Sequence, residues 1–344
     1  MSSDSQPPVA IPDVAYYYPA PYWSAVEGGW VKSLLLFFDR ISILLPGYMR
    51  DRHHDADPSL AGPLEDLGLL EVLDPSDWVD QRVAEQLATV MTDLLVAGAF
   101  NDLPQTGYFH ELSQSRMGYG ADIGLATMLI EELVARDLAR PTEDGVSIPL
   151  HPVVRRTILV VLGQLARARG QRSGVAVHPA TNDLSAARDL ITTLGLPALP
   201  SAGHLVTLDM EVVGLDLDPI PLDEVLDFRA SHIAAHTAYM RSLRGALEEL
   251  SAVPETDRAA LLMQRQQEII DAAHDLRRLT RRSFGKNLAA WSLGAAGATW
   301  GVVGQDPLGL AITAAGLVAG AVPAGQPTVS AYSYVFAASH QLGR

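Results

Sequence analysis

Between residues 216 and 236 the chain places Asp216, Asp218, Asp227, Arg229, His232 and His236 close together. Carboxylates beside histidines can move protons or hold a metal ion, and an arginine among them can fix an anion. His232 and His236 share one face of a helix, with Arg229 a turn earlier and Tyr239 a turn later. A metal held by the two histidines would need carboxylates from elsewhere, such as Asp227. A plainer reading stands beside this one. His236 falls on an apolar seam, where one hydrogen-bonded histidine is enough, and Asp223 and Glu224 complement the positive end of a following helix. Asp227, Arg229, His232 and His236 are thus catalytic candidates by residue type and spacing alone.

His53, His54 and Asp55, with Asp57 two residues on, form the densest ligand-like cluster. Such side chains bind zinc or manganese when they converge, but neighbours on one loop seldom do. A solvated loop before Pro58 is the expectation, with no resident metal and no cofactor. His110-Glu111 lacks a second histidine four residues later, so the metalloprotease spacing is absent. No glycine-rich phosphate loop with its lysine opens a helix, and no serine stands in a Gly-x-Ser-x-Gly elbow. The chain has no cysteine, which excludes disulfides, thiolate metal sites and cysteine nucleophiles.

Residues Met128 to Pro149 have the order of a recognition helix followed by a wing. Glu131, Glu132, Asp137, Glu143 and Asp144 lie on that helix and turn and would oppose a phosphate backbone. The charge of the chain points the same way. Its net charge is −15, and residues 1–220 hold 14 basic against 29 acidic side chains, the rest being balanced. Nucleic acid is therefore a disfavoured partner.

These residues must be positioned by elements that the patterning outlines. Across 344 residues, with 48% hydrophobic and 19% charged side chains, the chain has the composition of a folded protein with a substantial core. The opening MSSDSQPPVAIPD is polar and proline-rich with no secretory signal, so a cytoplasmic protein is expected. Val14–Tyr18 reads as a strand, Gly29–Arg40 as a helix and Ile41–Pro46 as a strand. A short helix near Pro63–Leu67, the strand Leu69–Leu73 and a helix from Pro75 to Gly98, capped by Ser76, repeat the cycle. Ala121–Ala139 is helical, Glu143-Asp144-Gly145 turns a hairpin, and His151–Arg169 is a long helix. Gly174–His178 and Leu205–Leu217 read as strands. From Leu222, Leu226, Ile233, Met240 and Leu247 recur every seven residues, and Leu262, Ile269 and Leu276 resume after a break at Val253-Pro254. That is a long antiparallel helical hairpin. The expected fold is helix-rich α/β: a small mixed sheet with flanking helices in residues 1–220, then a helical bundle in residues 221–344.

AYYYPAPYWSAVEGGWVKSLLLFFDRISILLP resembles the opening of an uncharacterised family of bacterial proteins. Its members begin with a Tyr-Tyr-Pro strand, a Trp-Leu-Lys-like helix and a strand ending in proline. GLLEVLDP, HPATND and PLDEVLDFRASH look like further landmarks, so the resemblance spans most of the chain. It implies the order of elements given above. It brings no reaction and no site residue, and it implies a setting beside bacterial defence or mobile-element genes.

The segment Leu288–Gly325 is rich in alanine and glycine, with Asp306 its single charge. Two apolar halves flank Gln305-Asp306-Pro307, and Arg277, Arg278, Arg281, Arg282 and Lys286 precede them, as membrane insertion would favour. Alanine and glycine add little insertion free energy, however, and Pro323 interrupts the second half. The aromatic run Ala331–Phe336 that follows suits a protein core. A buried hairpin covering the apolar seam of 222–283 is the favoured reading, and membrane insertion through Leu288–Gly325 the alternative. With no complete catalytic constellation, the expected function is that of a non-enzymatic interaction or regulatory protein acting on a protein partner or a second copy. A membrane-acting effector and an enzyme with its site at 216–236 are the alternatives.

Overall fold

Alternation between two buried faces starts at the first strand. In β1 (Asp13–Tyr17) Ala15 and Tyr17 face one side of a sheet and Tyr16, with Tyr18 just beyond, faces the other, and all four are buried. A strand buried on both faces belongs inside a parallel sheet. The computed structural model describes residues 12–50, 52–117, 124–141, 145–182, 201–285 and 328–342. It gives a four-stranded parallel sheet in the order β3-β2-β1-β6 and a separate antiparallel pair, β4-β5.

The chain runs from β1 through α1 (Gly28–Phe37) to β2 (Arg40–Leu44). It continues through α2 (Arg52–Ala56) and α3 (Ala61–Asp66) to β3 (Leu70–Leu73). The next crossing holds α4 (Pro75–Trp78), α5 (Gln81–Val96), β4 (His110–Ser113), α6 (Gly124–Ala135), β5 (Ser147–Leu150) and α7 (Pro152–Arg172). It returns to β6 (Ala176–Ala180), on the far side of β1. Helices then follow: α8 (Ala202–Val213), α9 (Leu222–Ser231), α10 (Ile233–Ala252), α11 (Glu255–Gly285) and α12 (Thr328–Gln341).

Two cores flank the sheet. One lies under Tyr16, Tyr18 and Leu44 and is closed by α5, α6 and α7 through Leu87, Met91, Leu133, Ile158 and Leu162. The other lies under Ala15, Tyr17, Ile41 and Ile43 and is closed by α1, α3 and α8 to α12. The helix-rich α/β architecture is the one expected, with parallel and antiparallel pairings in separate sheets. The second core is continuous across residue 220: Leu34, Leu35 and Phe37 of α1 share it with Phe228, Tyr239, Met240 and Tyr334.

Several elements depart from the sequence reading. Leu205–Leu217, expected as a strand, lies mostly in α8, whose residues from Ala202 to Met210 are all buried. Thr207, Asp209 and Glu211 alternate with Val206, Leu208, Met210 and Val212, a period of two that reads as a strand. Its punctuation was nonetheless present: the Ser201 hydroxyl caps the His204 amide, and Gly214 closes the helix in the left-handed region (φ 64°). The helix expected from Pro75 breaks after Trp78. Asp80, not Ser76, caps α5, accepting from the Val83 amide at 2.9 Å. β5 pairs with β4, and residues N-terminal to the expected turn contribute only a bridge from Ala139 to Leu150. Glu143 and Asp144 lie outside the described residues.

The break at Val253-Pro254 separates α10 from α11, and a second break at His232 separates α9 from α10. That second break resets the register and leaves Ile233 65% exposed, off the seam it was assigned to. The aromatic run after Ala331 is helical in α12 and packs on both α10 and α11, with Tyr332, Tyr334, Val335 and Phe336 buried. The apolar segment 287–325 lies outside the described residues. No helix among the described residues is long and apolar enough to cross a membrane.

Candidate functional site

The residues at 216–236 gather around α1 and divide between its two ends. At the N-terminal end the Asp218 carboxylate accepts from the Gly29 amide at 2.7 Å, and Asp216 accepts from the Asp218 amide at 3.0 Å. Lys32 reaches across to the carbonyls of Asp218 (3.1 Å) and Ile220 (2.6 Å). A helix N-terminus attracts a carboxylate because its first amides have no partner in the helix. Gly29 is glycine because a Cβ there would collide with Asp218.

At the C-terminal end the Arg229 guanidinium donates to the carbonyls of Leu35 (3.2 Å) and Phe38, and pairs with Asp39 at 2.5 Å. The His236 imidazole Nε2 meets the Phe37 carbonyl at 3.1 Å. That carbonyl accepts only if Nε2 carries the proton. Burial holds His236 below the usual histidine range, so it stays neutral near neutral pH. His232 stacks on Phe228 and contacts its carbonyl through Nδ1 at 2.9 Å. Arg229 and His236 therefore converge on the last carbonyls of α1. His232 stays on its own helix turn, and Asp227 is exposed on α9, apart from the hydrogen bonds that engage Arg229 and His236.

His53, His54 and Asp55 fall on α2 rather than a loop, because Arg52–Ala56 closes one helical turn. His54 Nε2 lies 3.1 Å from the Glu65 carboxylate of α3, and Asp57 turns inward to accept from the Trp23 indole at 2.8 Å. No three metal-ligating side chains converge among the described residues.

A second cluster carries no sequence signal. The parallel strands turn back on themselves between β1 and β6: β2 and β3 lie on one side of β1, and β6 on the other. In open parallel sheets this switch point, at the carboxyl ends of the strands, is where crevices form. Here the ends hold Tyr17, Tyr18, Thr181 and Asn182. Glu27 accepts from the Tyr17 hydroxyl (3.2 Å), the Asn182 amide (2.7 Å) and the Ser24 hydroxyl (2.8 Å). Two arginines approach from the other crossing: Arg116, just after β4, and Arg155 in the first turns of α7. Arg116 Nη2 donates to the Ala20 carbonyl at 3.3 Å. Arg155 donates to the carbonyls of Pro19 (3.0 Å) and Glu111 (2.9 Å). Both guanidiniums thus reach the loop that leaves β1.

Beside this cluster, Tyr18, Ser201 and His204 form a buried chain. Ser201 donates its hydroxyl proton to the Pro179 carbonyl at 2.6 Å, so its oxygen accepts from His204 Nδ1 at 3.0 Å. Nε2 is then the acceptor for the Tyr18 hydroxyl at 3.1 Å. One neutral tautomer satisfies every group. Burial, with Arg167 nearby, depresses His204 to about 3. The unfolded chain binds a proton near 6.5, so His204 adds stability above that pH and loses it as pH falls toward 3. Thermal stability should accordingly fall between pH 7 and pH 5, and His204→Gln should flatten that slope in a scanning-fluorimetry series. An unchanged slope would remove His204 as its source.

Comparisons with protein-family models, curated proteins and solved structures returned no match.

Proposed function

We propose that this chain is a non-enzymatic interaction or regulatory protein of the bacterial cytoplasm. The observation that supports this most directly is the clamp on α1. Asp218, Arg229 and His236, which spacing nominates for acid–base or anion chemistry, are engaged by backbone amides and carbonyls of one helix. A proton-transfer group must be free to meet a substrate, and a side chain already capping a helix terminus is not. The defence or mobile-element setting belongs to this proposal too, since a regulatory protein is a natural component of such systems.

The partner is a protein or a second copy of the chain. Sedimentation velocity across a concentration series, with recovery of stoichiometric partners from native cells, tests this. Self-association or a partner at fixed stoichiometry is the expected result. A monomer that turns over a metabolite, with activity lost in Asp227→Asn or His232→Gln, would favour the enzyme reading instead. The alternative that Leu288–Gly325 acts on a membrane is decided by the same preparation. The proposal expects the chain in the supernatant of a detergent-free lysate and absent from floated liposomes of anionic lipid. Release only by detergent would favour the effector.

A further inference from the structure

Two arginines are buried among the described residues, and their surroundings are opposite. Arg265 grips the Asp209 carboxylate with two hydrogen bonds. Arg116, fully buried at 0% exposure, meets no carboxylate among the described residues, and its Nε and Nη1 have no hydrogen-bond partner there. Its one oxygen at bonding distance, besides the neighbouring Tyr16 hydroxyl, is the Ala20 carbonyl. Burial raises the Tyr16 and Tyr17 hydroxyls above the usual tyrosine range, so both remain neutral and neither offsets the charge.

Arg155 adds to the imbalance. Burial, and then the charge of Arg116, lowers it to about 10, so it too stays protonated at neutral pH. Its acceptors are carbonyls. Glu27, a carboxylate described at this end of the sheet, is already engaged by Tyr17, Asn182 and Ser24. Two guanidiniums that repel each other, one of them fully buried, and met among the described residues by carbonyls and the Tyr16 hydroxyl alone, are unfavourable unless an anion joins them. Pro19 and Ala20, whose carbonyls receive the two guanidiniums, are half-buried, so the pair sits just beneath the surface. Its place is the switch point of the parallel sheet.

We propose that Arg116 and Arg155 bind one small anion, a phosphate or carboxylate group of a soluble metabolite, at the carboxyl end of β1. Guanidinium groups suit either, because their planar donors match two oxygens at once. The surplus of acidic residues in 1–220 selects for a small ligand by repelling polyanions at long range. The assignment stands on these two side chains and does not depend on the regulatory reading.

The test uses the full chain, with inorganic phosphate and malonate as probes and sodium chloride at matched ionic strength as control. Calorimetric titration should show saturable binding of one probe at one site per chain. Arg116→Met and Arg155→Gln should each weaken it at least tenfold. The tighter probe identifies the headgroup chemistry. Without anion, Arg116→Met should melt no lower than the wild type, since an apolar chain of similar length replaces an unpaired buried charge. Should the variants not fold, hydrogen exchange on the wild type decides: the bound anion should protect peptides covering residues 16–24 and 110–117. Absence of saturable binding by either probe, equal binding by folded variants, or no protection in those peptides would overturn the assignment. None of those failures bears on self-association or partner recovery, which test the regulatory reading separately.

Discussion

Asp209→Ala and Arg265→Ala should each lose about 3–5 kcal/mol of unfolding free energy, the range for stranding one member of a buried ion pair. Asp209 of α8 receives Arg265 of α11 through Nε (3.1 Å) and Nη2 (2.6 Å), and the Tyr239 hydroxyl of α10 donates to the same carboxylate at 2.7 Å. The Arg265 Nη1 reaches the Tyr332 hydroxyl of α12 at 3.4 Å, with the guanidinium over that ring. Burial alone would push Arg265 down, but the Asp209 charge and its hydrogen bonds, with Tyr239 and Tyr332, together hold it above the usual arginine range. Four helices thus meet at one ion pair. Either single change leaves a charge without its partner in a dry interior. Asp209→Leu combined with Arg265→Met should recover most of the loss, because apolar groups of similar volume often replace a buried pair at little cost. Urea titration of the four proteins measures the coupling. Additive effects, or single losses under ~1 kcal/mol, would show that the pair does not hold these helices together.

A fragment of residues 1–220 should show no cooperative thermal transition and should aggregate. Its α1 carries Val31, Leu34, Leu35, Leu36 and Phe37, all fully buried or nearly so. Part of their cover comes from Phe228, Tyr239, Met240 and Tyr334, beyond the cut. Removing that cover exposes the apolar outer side of α1, the helix that itself packs on the sheet. The fragment would also lose Arg229 and His236 from the last carbonyls of α1. Gel filtration and differential scanning calorimetry of the fragment against the full chain provide the measurement. A monodisperse fragment with one sharp transition would show that residues 1–220 form an independent unit.

The sequence was most legible where periodicity and punctuation agreed. β1, β2 and β3 emerged from short apolar runs ending at proline or aspartate, and α7 from a long run with His151 and Pro152 at its start. α8 reads as a strand because its polar residues alternate with apolar ones, while in the fold Thr207 and Asp209 are buried and satisfied by distant partners. The functional residues were harder to read for a different reason. Arg229 and His236 stood out by type, but what they serve lies on α1, some 190 positions earlier. A capping partner that distant leaves no local spacing to find. Arg116 gave no signal at all: it sits in a short turn, and its meaning comes from Ala20 and Arg155, which only the fold brings near it.

The Tyr334 hydroxyl donates to the Leu36 carbonyl at 2.6 Å, across 298 positions of sequence. A ribosome adding about 5–20 residues per second needs roughly 15–60 s to make that stretch. Throughout that interval α1 and the first strands exist without the helix that seals them. A helix with its apolar outer side open is a sticky intermediate, prone to aggregation and open to chaperones in this window. Synthesis speed and temperature should therefore govern the yield of native chain more strongly than its final stability does. Slowing translation without slowing aggregation would lower that yield, while co-expressed holdases would raise it.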